Sequence, residues 1–408
     1  MKNLDTMLPD GMRVSYAQAV HGIEEENAVL DVLRKNQSIM GHRVKQFEEE
    51  IATIFGKKHG VMVNSGSSAN LLALEILNLP AGSEVITPAL TFATTVAPIL
   101  QRGLKPVFVD VEHGTYNIDI SKIREKITHK TKVLMIPSLI GNFSDLDELR
   151  KIAWEYNLVF IEDSCDTLGA QYKGLPSGSY SHMSTTSFYG SHIITAAGGG
   201  GMICVNNPYW MDQCKILRGW GRSSARDEGE DLHKRFGVTL AGIQYDSKFI
   251  FESIGYNFLP LEISAAFGLE QVKKLPIFAE TRQKNFNQLF DFFLNYQKYF
   301  ILPKQLPEAK TNWLGFPLTI KSTTPFDREE ITTFLENNNI QTRPVFTGDI
   351  LRQPAFEHLV ETTGQKATDF PVADEVMRRG FLIGCHHGLS QEQMDYLIGK
   401  IESFLKNY

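Results

Sequence analysis

The chain has 408 residues, 42% hydrophobic and 22% charged, with a formal net charge of −6. That balance belongs to an ordinary globular chain of two or three domains and excludes a disordered chain, a collagen-like repeat and a coiled coil. No long basic run invites nucleic acid, apolar stretches such as Phe92–Leu100 are too short to span a bilayer, Met1–Asp10 lacks the apolar core of a signal peptide, and four scattered cysteines make no disulfide framework, so a reducing, cytoplasmic setting is expected.

Ile23–Lys35 and Arg43–Phe55 carry apolar residues at helical intervals, with Val44, Phe47, Ile51 and Phe55 on one face. A strand-like run at Gly60–Val63 meets Asn64-Ser65-Gly66-Ser67-Ser68, and helical Ala69–Leu77 follows. Further strand-like runs are Glu84–Thr87, Lys105–Val109, Lys132–Pro137, Leu158–Glu162 and Met202–Val205, with helical segments such as Asp145–Glu155 between them. This alternation predicts an α/β fold with a mainly parallel sheet covered on both faces. Trp220–Phe249 is polar without a clean period and reads as a long excursion. Helices Leu261–Leu275 and Glu280–Asn295 come next, then strand Gly315–Ile320 and helices Asp327–Asn337 and Gln391–Leu405.

Four features carry candidate chemistry. Asn64–Asn70 lies between a strand and a helix, where free amides and serine hydroxyls suit a phosphate, although on this motif alone a serine-capped helix is the favoured reading. Val159–Asp166 runs a buried strand into acids at the edge where open sheets bind ligands, against the plainer reading of an ion-paired acid. Thr185–His192 precedes the glycine run Gly198–Gly201, which implies a packing or ligand reason for so much backbone freedom. Gly255-Tyr256-Asn257 leads into the small residues Ser264-Ala265-Ala266, which a tight helix contact also explains.

In this order, together with Thr91–Thr94 and Gln353-Pro354-Ala355-Phe356, the motifs resemble the DegT/DnrJ/EryC/StrS family of sugar aminotransferases and dehydratases from about Gly41 to Leu389. The resemblance implies a pyridoxal-phosphate (PLP) dependent aspartate-aminotransferase fold of type I. An N-terminal segment and a large cofactor domain with a mainly parallel mixed sheet would occupy residues 1–260, and a small C-terminal α/β domain residues 261–408. It implies that Gly66, Ser67, Ser68 and Ser187 cradle the cofactor phosphate, that Phe92 stacks on the ring and that Asp163 pairs with the ring nitrogen. Asp166 stands where most aminotransferases of the family carry Gln near the ring hydroxyl. Asn257 would reach the phosphate of a neighbouring subunit, making a homodimer with a shared active site.

The family's aminotransferases need a lysine five residues after Ser187, and this chain has His192 there, with no lysine between Lys173 and Lys215. Imidazole cannot bond the cofactor stably, but it moves protons near neutral pH. This substitution resembles the sugar 3-dehydratase branch. The resemblance implies removal of the C3 hydroxyl from a nucleotide-linked 4-keto-6-deoxyhexose, GDP-linked by preference, with pyridoxamine phosphate (PMP) as working cofactor restored from L-glutamate. Tyr189 and Arg343 are candidates for the substrate, and Arg218 and Arg222 for the nucleotide diphosphate. One division of the branch holds an iron–sulfur cluster on four cysteines. Here Cys165 remains, but Ser223-Ser224-Ala225 follows Trp220-Gly221-Arg222, so no cluster and no resident metal are expected. His386-His387 reads as structural. The rival functions are a nucleotide-sugar aminotransferase and a non-catalytic ligand-binding protein of the same fold.

Overall fold

The computed structural model describes residues 12–226, 235–236 and 238–408. Helices α1 (Ile23–Arg34) and α2 (His42–Ile54) lead into strand β1 (His59–Val63) and helix α3 (Gly66–Glu75). There follow β2 (Glu84–Pro88), α4 (Ala93–Gln101), β3 (Lys105–Val109), β4 (Thr131–Pro137), α5 (Leu146–Glu155) and β5 (Val159–Asp163). Two short strands, β6 (Gln171–Tyr172) and β7 (Leu175–Pro176), precede β8 (Met183–Ser187), β9 (Gly201–Val205) and α6 (Pro208–Arg218). The large sheet has the order β1-β9-β8-β5-β4-β2-β3. Within it β9 alone runs antiparallel to its neighbours. Strands β2, β5, β8 and β9 are buried almost throughout, as a sheet covered on both faces requires.

Local chemistry explains the elements. The face of α2 formed by Val44, Phe47, Ile51 and Ala52 is buried. Asp145 caps α5 by accepting a hydrogen bond from the Glu148 amide, and Leu146, Leu149 and Ile152 turn inward. The glycine run has a packing cause. A Cβ at Gly201 would lie 2.3 Å from the Ser65 carbonyl group, so β9 can start only where the β1–α3 turn passes with no side chain between them.

Four segments differ from their sequence expectation. The two helices expected around Pro276 are one, α7 (Glu262–Leu294). Proline removes one backbone donor there, but Leu275 and Phe278 on either side of it are buried, and that packing carries the helix through. The excursion holds a hairpin, β10 (Val238–Leu240) with β11 (Ile243–Tyr245), turned by Ala241 and Gly242 at φ 50° and 85°. Residues 227–234 and 237 of the excursion lie outside the described residues. Finally, β8 and the strand Gly380–Ile383 went unread, because short runs without alternation give no period.

Beyond α7, β12 (Phe300–Ile301), β14 (Phe316–Ile320), β15 (Thr342–Arg343) and β16 (Gly380–Ile383) form an antiparallel sheet in the order β12-β14-β16-β15. The intervening β13 (Ala309–Lys310) pairs with β6. The long helix serves two cores. Ala265, Leu269, Leu275 and Phe278 pack with α2 and β9, whereas Phe286, Leu289 and Phe293 pack with Trp313 and Phe316 beside the small sheet.

Candidate active site

The carboxyl ends of β1, β2, β4, β5 and β8 open into one cavity of about 960 Å³, closed on its far side by Arg343, Phe346, Gln353 and Phe356. Of the residues singled out from sequence, Gly66, Ser67, Phe92, Asp163, Asp166, Ser187, Tyr189, His192 and Arg343 all line it.

At the end formed by α3, Ser65 caps the helix by accepting from the Ser68 amide at 3.1 Å. The Ser68 hydroxyl turns back to Asn64 Oδ1 at 2.7 Å and does not line the cavity. Ser67 and Ser187 therefore supply the hydroxyls, beside the open amides of the helix's first turn. A Cβ on Gly66 would stand 2.7 Å from Ser187 Cβ and 3.0 Å from Cys165 Sγ, so the bare glycine keeps this cradle open.

Deeper in, Asp163 is 6% exposed. Its Oδ2 accepts from Asn70 Nδ2 and from Thr95 Oγ1, both at 2.8 Å. Asn70 is aimed in turn by the Thr185 hydroxyl on its Oδ1. Sequence reading passed over Thr95 and gave Asn70 and Thr185, which lie inside the chosen motifs, no role of their own. The only signal for Thr95 was its place beside Thr91–Thr94. Phe92 sits at the mouth, 52% exposed, with its ring edge-on to Phe346 at 6.1 Å.

The loop between β8 and β9 lines the other end with Tyr189, Ser191 and His192. His192 Nε2 lies 3.6 Å from Asp166 Oδ1. Asp166 Oδ2 accepts from the Ile140 amide at 2.9 Å. Ile140 itself is held at φ 62°, a strained setting for a β-branched residue and the kind that clusters at working sites. Burial, and then the charge of Asp163, push the Asp166 carboxyl up to about 7. Burial first, and the Arg282 guanidinium second, hold His192 down at about 4. The imidazole is thus an unprotonated base at neutral pH. Tyr189 is 63% exposed and meets His192 edge-on at 6.3 Å. Tyr16, from the segment before α1, also lines the cavity beneath Arg343, whose guanidinium is 5.7 Å from its ring; nothing in the sequence pattern marked it.

Other candidates lie apart. Asn257 is exposed and outside the cavity, in a bridge to Gly219. Arg218 corrects an expectation. It is buried, donating at 2.7 Å to Glu48 and to the Met62 carbonyl, and is not available to a diphosphate. Arg222 stacks over Trp220 at 4.3 Å. His386 Nε2 meets the Ser15 carbonyl at 3.0 Å, and His387 Nδ1 accepts from Arg282, so both histidines serve the packing. No helix among the described residues is long and apolar enough to cross a membrane.

Known enzymes are similar to this chain over most of its length. A dTDP-4-dehydro-2,6-dideoxy-D-glucose 3-dehydratase of Saccharopolyspora spinosa is 36% identical over 399 residues, covering 95% of this chain and 85% of the relative. A GDP-4-keto-6-deoxy-D-mannose 3-dehydratase of Yersinia pseudotuberculosis is 34% identical over 382 residues, covering 92% and 94%. The Escherichia coli GDP-4-keto-6-deoxy-D-mannose-3-dehydratase, solved with bound hydrated PLP, superposes with a TM-score of 0.85 at 31% identity, covering 95% of this chain and 99% of that one. The fold is that of the PLP-dependent aminotransferases, an α/β fold with a mixed, mostly parallel sheet. With the family model matching residues 20–402, the chain belongs to the DegT/DnrJ/EryC1/StrS aminotransferase family.

Proposed function

We propose that this sugar-modifying enzyme is a PLP/PMP-dependent 3-dehydratase. It removes the C3 hydroxyl of a nucleotide-linked 4-keto-6-deoxyhexose and leaves a 4-keto-3,6-dideoxy sugar, with ammonia released and the cofactor restored from glutamate. One observation carries this reading. No lysine lines the cavity among the described residues, and His192 faces Asp166 where a lysine would be needed.

The residues fit the cofactor. The start of α3, Ser67 and Ser187 would hold its phosphate, Phe92 would cover its ring, and Asp163, fixed by Asn70 and Thr95, would meet its ring nitrogen. When bound, the cofactor supplies an amine for the C4 ketone and an electron sink that lets the C3–O bond break. His192, unprotonated at neutral pH, takes a proton at Nε2, where the Asp166 carboxylate stabilises the cation that forms. The same nitrogen then returns the proton to the departing C3 hydroxyl as it leaves as water. Arg343, at the cavity rim, takes an anionic group of the sugar nucleotide or of glutamate. Asn257 serves the phosphate site of a second copy. The strongly exposed Phe251 and Ile254 beside it support a covered face there.

The test is a panel of GDP-, CDP- and TDP-4-keto-6-deoxyhexoses with PLP and glutamate, scored for ammonia and loss of the C3 hydroxyl. An amino sugar as product, or a cofactor trapped on lysine by borohydride, would make the chain an aminotransferase. Binding with no ammonia from any sugar would leave it a ligand-binding protein.

A further inference from the structure

Arg282, on α7, is fully buried yet forms no ion pair among the described residues. All of its contacts are neutral. Nε donates to His387 Nδ1 at 3.1 Å, and Nη1 donates to the carbonyls of Trp313 and Leu314 at 3.0 and 3.2 Å. Nη2 reaches the carbonyl of His192 at 3.4 Å. Burying a guanidinium without a carboxylate at contact distance is costly, and an apolar or amide side chain would fill a purely structural position more cheaply.

We propose that Arg282 is a positioning residue for His192. It grips the main chain of the β8–β9 loop and presents to the imidazole a positive charge that no contacting carboxylate neutralises. One fork ties three places together: the long helix, the entry to the small sheet at Trp313–Leu314, and His192 itself. The inference rests on the reading of His192 as the acid–base group.

The groups around the pair agree with it. Asp166 faces His192 from the turn after β5, and Tyr189 faces it from its own loop. Tyr16, Cys385, His386 and His387 surround Arg282, all neutral at pH 7: burial raises the phenol and the thiol and lowers both imidazoles. Among the described residues Asp166 is thus the carboxylate placed to balance the guanidinium, and the same guanidinium discourages a proton on His192 between turnovers. A base held ready in its unprotonated form, beside a carboxyl that titrates near neutral pH, suits repeated proton transfer.

The test compares Arg282→Met, Arg282→Gln and Arg282→Lys with the native cofactor-loaded enzyme. Folding is checked by thermal melting. The protonation of His192 is followed by deuterium exchange at the imidazole C2, read by mass spectrometry on a peptide carrying no other histidine. The two neutral variants should raise the pH at which His192 titrates by about one pH unit, because a positive neighbour is gone, and Arg282→Lys should leave it in place. In turnover, Arg282→Met should lower kcat at least about tenfold, with KM for the sugar nucleotide within about twofold. An unmoved titration in folded neutral variants would overturn the proposal. So would an equal rise in Arg282→Lys, or loss of folding in both neutral variants, which assigns the residue to stability alone. The exchange measurement needs no substrate, so it stands or falls apart from the identity of the sugar.

Discussion

Replacing Asp166 by Asn tests the proposed proton chemistry most directly, because rate and stability should move in opposite directions. The carboxylate lies 3.6 Å from His192 Nε2. At an effective dielectric near 20, a charge pair at that distance is worth about 4–5 kcal/mol. If half of that is felt in the transition state, the loss is roughly 50-fold in kcat. The carboxyl titrates at about 7, so only above that pH does it stabilise an imidazolium. Native turnover should therefore climb between about pH 6 and pH 8, and Asp166→Asn should be both slower and flat over that interval. Stability should run the other way. Folding raises the Asp166 value from 3.8 to about 7, so its contribution is fully present below 3.8 and is lost as pH rises through 7. Asparagine can still accept from the Ile140 amide and carries no buried charge. The variant should gain up to about 4 kcal/mol at pH 8 and nothing near pH 3.5, by urea unfolding of the cofactor-free chain. Turnover that keeps its native pH profile, or a pH 8 midpoint no higher than the native one, would refute the account of this pair.

Other outcomes follow from the same geometry. His192→Lys should bond the cofactor covalently, visible in the absorption spectrum and trapped by borohydride, and should abolish dehydration; undiminished dehydration would remove His192 from the mechanism. Gly66→Ala places a methyl 2.7 Å from Ser187 Cβ, within the proposed phosphate cradle. It should weaken cofactor affinity at least about tenfold, measured by fluorescence titration, with a small change in melting temperature. Anaerobically purified protein should show no iron–sulfur absorption, since Ser223-Ser224-Ala225 follows Trp220-Gly221-Arg222 and no run of cysteines stands there to join Cys165. A stoichiometric cluster would break that reasoning.

Much of the seven-stranded sheet and its helices was legible because their signals are local. The faces of α2 and α5, the strands Lys105–Val109 and Thr131–Pro137, and the caps at Ser65 and Asp145 each follow from a few neighbouring residues. Where tertiary packing overrides local preference, the reading failed: α7 runs through Pro276 because both of its halves are buried. The hairpin at Ala241-Gly242 was a missed turn signal, a two-residue connection of the kind that joins antiparallel strands.

For the site, the sequence alone determined which residue types were present: a glycine–serine turn before a helix, an acid at a strand end, and a histidine where family members with transaminase chemistry need lysine. It did not determine their partners. Asn70 meets Asp163 across 93 positions and Arg282 meets His192 across 90. Those pairings exist because the order β1-β9-β8-β5-β4 sets the ends of distant strands side by side and α7 crosses behind them. The opening composition, net charge and four cysteines said only what kind of chain this is. Tertiary structure decided the rest, because burial is a property of the assembled fold. It leaves His192 neutral, lifts Asp166 toward pH 7, and turns Arg218 inward to Glu48.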